Sequence, residues 1–116
     1  MSAYTVYTQA PGTILAANGN SGSLNVGNYN EMAADANITA VSGSTPTLQL
    51  FIDREGADGV WYPIWQSSTL TSTTQVSTSI GPGTNIAQFF GSTIRWRWVV
   101  GGGSPSFTLS SSIIAK

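Results

Sequence analysis

The sequence contains no cysteine and no histidine. Without cysteine the chain has no disulfide bonds, no zinc-thiolate site and no thiol nucleophile. Without histidine it lacks the commonest general base, and Ser-His-Asp and Cys-His catalytic arrangements are excluded. We therefore expect a protein that is not an enzyme, binds no cofactor or metal, and is stabilised by packing alone.

Charge is also scarce, because Asp, Glu, Lys and Arg make up 8% of the sequence and the net charge is −1, whereas about 25% of residues are charged in a typical soluble domain. Hydroxyl groups replace charge, since 16 Ser and 14 Thr stand among the 116 residues. Such a surface repels copies of itself only weakly, which suits a crowded protein assembly. It also lacks the basic patch that phosphate binding needs, so we expect no nucleic-acid partner.

Long hydrophobic runs are missing as well. No window approaches the roughly 18 consecutive apolar residues of a membrane span, and residues 1–5 lack a basic stretch followed by an apolar one. We expect synthesis in the cytoplasm without export and no membrane partner. The length of 116 residues and the 41% hydrophobic content indicate a single globular domain, residues 1–116.

Alternation with period two predicts strands along most of the chain. The clearest runs are residues 47–53, 94–100 and 106–113, and Trp96 and Trp98 fall on the predicted core face of the second run. Weaker candidate strands lie at residues 4–8, 12–16, 24–29, 37–41, 60–66, 75–80 and 86–90. The run at 60–66 contains Pro63, which predicts an edge strand, or else a bulge near its middle.

Glycine-rich and proline-rich segments separate these runs and predict connections at residues 18–23, 42–44, 58–59, 81–83 and 101–105. Helix signals are poor, since the one alanine-rich stretch, 32–36, spans only one to two turns. No tandem repeat is present. These features predict an all-β fold, a jelly-roll-like two-sheet β-sandwich of roughly eight strands without a long helix, in which residues 1–22 are a candidate extended arm.

The five acidic residues offer little catalytic chemistry. A carboxylate pair for glycoside hydrolysis is conceivable among them, but most acids on a chain this small lie in solvated loops. The segment 53–59 has acids at every second or third position, as in a calcium-binding loop, but its spacing departs from the twelve-residue pattern. We interpret it as a charged hairpin tip without metal.

Aromatic and arginine side chains are the remaining candidates for a site. Trp61 and Trp65 alternate with Val60, Tyr62 and Ile64, so the sequence places both tryptophans on one face, either in the core or on a contact surface that could stack on sugars. Arginines in interface cores hold carboxylates through two parallel hydrogen bonds, so the pair at 95 and 97 favours a contact between subunits over a phosphate site. The predicted interface residues are Trp61, Trp65, Arg95, Arg97, Arg54 and Phe51.

Two segments resemble a known group of proteins. Residues 45–53 (TPTLQLFID) with 59–62 (GVWY), followed by 94–107 (IRWRWVVGGGSPSF), are similar to small structural proteins encoded in the head modules of tailed bacteriophages. The resemblance covers roughly residues 45–116. It implies a jelly-roll-like capsid cement or decoration protein, made in the host cytoplasm and bound to the exterior of the virion, with the major capsid protein and copies of itself, as a homotrimer, for partners. The alternative is a carbohydrate-binding or receptor-binding module of a phage tail or fibre.

Overall fold

The computed structural model describes residues 3–84 and 86–116 and shows an all-β protein, in which these residues form no helix. Seven strands make one antiparallel sheet. They are β1 (Tyr4–Leu15), β2 (Gly19–Asn20), β3 (Leu24–Asn25), β4 (Met32–Glu55), β5 (Trp61–Gln66), β6 (Thr74–Ile80) and β7 (Thr93–Ala115). The prediction of an all-β fold is confirmed.

Two unusually long strands, β4 and β7, organise the sheet by pairing with each other from Met32↔Ala115 to Arg54↔Ile94. In the half formed by the start of β4 and the end of β7, the strand order is β1-β7-β4-β6. In the other half β2 and β3 pair with β7, and β5 pairs with β4. Each half is therefore a row of four strand segments built around the same two long strands.

A corner joins the two halves, at residues 43–46 of β4 and 102–105 of β7. Each corner segment contains a glycine with positive φ, Gly43 at 118° or Gly102 at 105°, and two residues later a hydroxyl side chain at φ 47°, Thr45 or Ser104. A proline follows in both segments. Register shifts interrupt the β4–β7 ladder here, as expected where bulges bend a strand without ending it.

The corner glycines allow the two backbones to approach closely. A Cβ atom on Gly102 would lie 2.6 Å from the carbonyl oxygen of Thr45, and one on Gly43 would lie 2.8 Å from that of Ser104. The connections predicted at 42–44 and 101–105 are therefore wrong, because both strands continue through the corner. The two corner segments also have similar sequences, GSTP and GGSP.

The core is one cluster of buried side chains from both halves of the sheet. As predicted, Leu48, Leu50 and Ile52 are fully buried on one face of β4. Across the core, the Trp96 indole on one half donates a 3.2 Å hydrogen bond to Gln9 Oε1 on the other, and Ser111 Oγ donates to the same oxygen at 2.6 Å. The two halves thus face each other, which is consistent with a β-sandwich.

Several weaker predictions need correction. Residues 86–90 form only an isolated bridge, Ile80↔Ile86, and the strand expected at 24–29 is two residues long. Residues 32–36, which carried the only weak helix signal, begin β4 instead. Of the candidate arm, residues 1–22, residues 4–15 form β1 and residues 19–20 form β2, and both strands pair with β7; residues 1 and 2 lie outside the described residues.

Candidate functional site: an arginine-aromatic face

Asp53 is the centre of the most unusual group of side chains in the structure. It lies in β4 on the face of the sheet opposite the core, yet its side chain is fully buried. The burial is caused by Arg95 and Arg97, which stand on the neighbouring strand β7, where Asp53 pairs with Arg95 and Phe51 pairs with Arg97. Alternation along both strands brings these four side chains to the same face.

Three hydrogen bonds hold the carboxylate. Arg95 Nε and Arg97 Nε each donate to Asp53 Oδ2 at 2.7 Å, and Arg97 Nη2 donates to Oδ1 at 3.1 Å. Burial disfavours the ionised form of Asp53, but hydrogen bonds and positive charge from Arg97 and Arg95 outweigh it and lower the pKa of the carboxyl group. Asp53 is therefore ionised at neutral pH.

An aromatic ring lies against each of the two guanidinium groups. The Cζ atom of Arg95 lies 4.6 Å from the centroid of the Trp61 ring, and that of Arg97 lies 3.9 Å from the centroid of Phe51. Both distances are within the range of a cation–π interaction. We call Phe51, Asp53, Trp61, Arg95 and Arg97 the arginine-aromatic face.

The predicted interface residues do not all belong to this face. Trp65 lies on the core side, stacked on Trp96 with ring centroids 6.2 Å apart. The expectation that Trp61 and Trp65 share a face is wrong, because β5 has a register shift where Ile52 pairs with Trp65 but Asp53 pairs with Pro63. This bulge reverses the alternation. Both predictions for Pro63 hold, since β5 is also the edge strand.

Arg54 is likewise separate from the face. It follows Asp53 in β4, so alternation turns it away from Arg95 and Arg97, and its Cζ atom lies 5.7 Å from the centroid of Tyr62. Its Nε is buried and has no hydrogen-bond acceptor among the described residues. The contact with Tyr62 places the Arg54 side chain against the β4–β5 hairpin.

The hairpin tip between β4 and β5 is organised by Asp58. Asp58 accepts hydrogen bonds from the Val60 amide at 3.0 Å and from the Tyr62 hydroxyl at 2.6 Å, and the Tyr62 bond lowers the pKa of Asp58. The Asp53 side chain points towards Arg95 and Arg97 and takes no part in the loop. Within residues 3–84 and 86–116, no group of three or more acidic side chains is placed to hold a metal ion.

The role of Asp53 was missed in the sequence, although a signal was present. Asp53 is the one acid within the alternating run of 47–53, and Arg95 and Arg97 share a face of the run at 94–100. Pairing these two runs in antiparallel register would have placed the carboxylate between the guanidinium groups. What the sequence did not provide was the register itself.

Comparison with known proteins adds no family assignment: no protein-family model matches the sequence, and no curated protein is significantly similar to it. The described residues also include no helix that is long and apolar enough to cross a membrane. The site must therefore be interpreted from its own geometry.

Proposed function

We propose that this protein is a structural component of a tailed-bacteriophage head, which binds the outer surface of the assembled shell and links neighbouring major capsid protein subunits. The two segments that carry the resemblance are neighbours in the structure, because residues 47–54 of β4 pair with residues 94–101 of β7. The resemblance thus falls largely on one pair of neighbouring strands. This supports treating it as a single structural feature.

The strand order supports a jelly-roll-like fold as part of this proposal. Counting each half of β4 and β7 separately, and β2 with β3 as one, gives eight strand segments in two rows of four. The chain passes from one row to the other between β1 and β2, β3 and β4, β5 and β6, and β6 and β7, and again at both corner segments. Two interleaved Greek keys produce such an order, and viral capsid proteins use this architecture.

The observation that carries the proposal is the arginine-aromatic face. Interface cores are enriched in aromatic residues and arginine and depleted in lysine and acidic residues. Here Trp61, Arg95 and Arg97, with the buried Phe51 ring against Arg97, form such a surface on the side of the sheet that the core does not use. Val99, in the next outward position of β7, extends it with a side chain that is 36% exposed.

The surface electrostatics fit the same role. With a net charge of −1, copies can sit side by side on a shell without strong repulsion. We propose the homotrimer that the resemblance implies as the bound form, and the virion exterior as its location. Nucleic acid is not proposed as a partner, because two of the four basic residues are already bound to Asp53.

The tryptophans give less support to the alternative, a carbohydrate-binding or receptor-binding module. Sugar stacking needs an open ring face. Trp96 is buried, Trp65 stacks on it, and the Trp61 ring is covered on one side by Arg95. Trp98, which is half-buried, donates its indole hydrogen to the Ala17 carbonyl oxygen at 3.1 Å.

Binding to shells tests the proposal. Purified protein should co-sediment with assembled shells of its source phage up to a fixed stoichiometry and should not bind free major capsid protein, because the site spans several subunits. Trp61→Ala should weaken binding, while Tyr4→Ala, which alters an exposed aromatic residue elsewhere, should not. Equal binding to free subunits, or no binding to shells, would contradict the proposal.

A further inference from the structure

Half of the basic residues in this protein meet at one point. Of four, Arg54, Arg95, Arg97 and Lys116, the two on the outer face of β7 share Asp53. A guanidinium group carries five N–H donors. Arg95 uses one of its five on Asp53, and Arg97 uses two.

The other donors have no acceptor among residues 3–84 and 86–116. Arg95 in particular contacts Asp53 through Nε alone, so its two terminal guanidinium nitrogens, Nη1 and Nη2, donate no hydrogen bond to Asp53. Both arginine side chains remain about a quarter exposed, at 23% and 25%. Among the described residues, no nitrogen atom of Arg95 or Arg97 is both buried and without a hydrogen-bond partner, so the unused donors are accessible from solvent.

The site also carries an uncompensated positive charge. Two guanidinium groups and one carboxylate leave a net charge of +1 on the three ion-paired side chains. Glu55, the next outward residue of β4, pairs with Trp61. No other acid in the described chain forms an ion pair with the two arginines, since the third salt bridge joins Lys116 to Glu31. Arg54 does not add to the charge at this site, because it lies on the opposite side of β4.

The guanidinium groups are fixed before any ligand arrives. Asp53 accepts hydrogen bonds from both Nε atoms, and the Trp61 and Phe51 ring centroids lie 4.6 and 3.9 Å from the Cζ atoms of Arg95 and Arg97. A free arginine loses rotamer freedom when it binds, whereas these two have already lost it during folding. Preorganised forks of this kind suit planar oxyanions.

We propose that Arg95 and Arg97 form a binding site for a second carboxylate, supplied by an acidic side chain of a partner protein. A carboxylate is planar, so it can accept two parallel hydrogen bonds from the free N–H groups of a guanidinium group. Its single negative charge also matches the net charge of +1. A phosphate dianion would need a further cation that the face does not have. The inference deepens the proposed function, because it names the chemistry of the partner surface.

Acetate is the probe that tests the site on the isolated protein. Sodium acetate replaces sodium chloride at constant ionic strength and pH 7, and NMR records the Nε–H signals of Arg95 and Arg97 and the indole signal of Trp61. Saturable shifts confined to this face are expected. Arg95→Gln should weaken acetate binding about tenfold, whereas Lys116→Gln, which removes the same charge from an exposed ion pair, should leave it unchanged.

Arg95→Lys provides a second variant in case the glutamine variant does not fold. It keeps the charge but loses the fork, so binding should also weaken. Shifts that do not saturate, or that are the same in the arginine variants as in wild type, would overturn the inference. Tighter binding of phosphate than of acetate at matched ionic strength would overturn the carboxylate assignment. Because no shell is involved, these outcomes leave the test of shell binding independent.

Discussion

Asp53 is a charged residue at a fully buried position, where proteins rarely place a charge unless it is paired. Its side chain is fully buried between two arginines, and a buried carboxylate is tolerated only when it is paired and hydrogen-bonded. Two guanidinium groups and three hydrogen bonds satisfy that condition here. The residue therefore links β4 to β7 outside the hydrophobic core.

Asp53→Asn should destabilise the protein by about 3 kcal/mol, because it leaves two arginines facing a neutral amide. The cost is at the lower end for a buried pair, since water reaches the arginines once the carboxylate is gone. Chemical denaturation measures the difference. Asp58→Asn, on the exposed hairpin tip, is the control and should change stability much less; equal losses would show that the Asp53 cluster is not special.

Acid should remove the same stabilisation. The pKa of Asp53 is lowered in the folded state, so the unfolded chain binds a proton more readily, and the contribution is complete above the unfolded pKa of about 3.9. It is lost as the pH falls from there through the lower folded pKa. Melting temperatures between pH 7 and pH 2 should fall less steeply for Asp53→Asn than for wild type, and parallel profiles would contradict this account.

Trp96 is the residue on which the two halves of the sheet converge. It is 1% exposed, stacks on Trp65 and donates to Gln9. Trp96→Ala should cost about 3 to 5 kcal/mol and leave little folded protein, as for other large buried aromatic residues. A loss of only one or two degrees in melting temperature would mean that the indole does not fill the core.

The corner is the feature of the long strands that sequence patterns were least able to predict. Glycine followed by proline indicates positive φ and a break in alternation, but the same residues occur where a chain reverses and where a strand only bends. Local chemistry does not distinguish the two. The outcome is decided by the partner strand, which continues past Gly43 and Gly102 and pairs again on both sides of the corner, although the register shifts there.

Other elements were predictable because alternation alone determines them. The buried faces of residues 48–52, 94–96 and 107–113 agree with the sequence. The face of Trp61 relative to Trp65 did not follow from alternation, since a single extra residue in β5 reverses it. The position of Asp53 between the two arginines did not follow from alternation either, because it depends on the register between β4 and β7, which is a property of two strands and not of one.

Gly102→Ala tests the corner. The new Cβ would stand 2.6 Å from the Thr45 oxygen, and the residue would be held at φ 105°, so a loss of about 2 kcal/mol or more is expected. Gly12→Ala is the matched control, because Gly12 also has positive φ, at 91°, but open space around it. Urea unfolding of both variants separates backbone strain from the clash, and equal losses would contradict a close-packed corner.

At the scale of the whole molecule, the fold presents two different outer surfaces. One half of the sheet shows hydroxyl and amide groups around Thr8, Asn37, Gln75 and Ser112. The other half shows the arginine-aromatic face. A protein that works by contact needs such an asymmetry, because one side must bind the partner while the other remains compatible with water.

Heat stability of the particle tests the proposed function most directly. Virions stripped of this protein and virions that retain it are heated in parallel, and the temperature of DNA release is recorded for each. The account predicts a higher release temperature when the protein is bound, because a ligand specific for the assembled shell stabilises it, and restoration of that temperature on adding wild-type protein back but not Trp61→Ala. Equal release temperatures with and without the protein would contradict the stabilising role and favour the receptor-binding alternative.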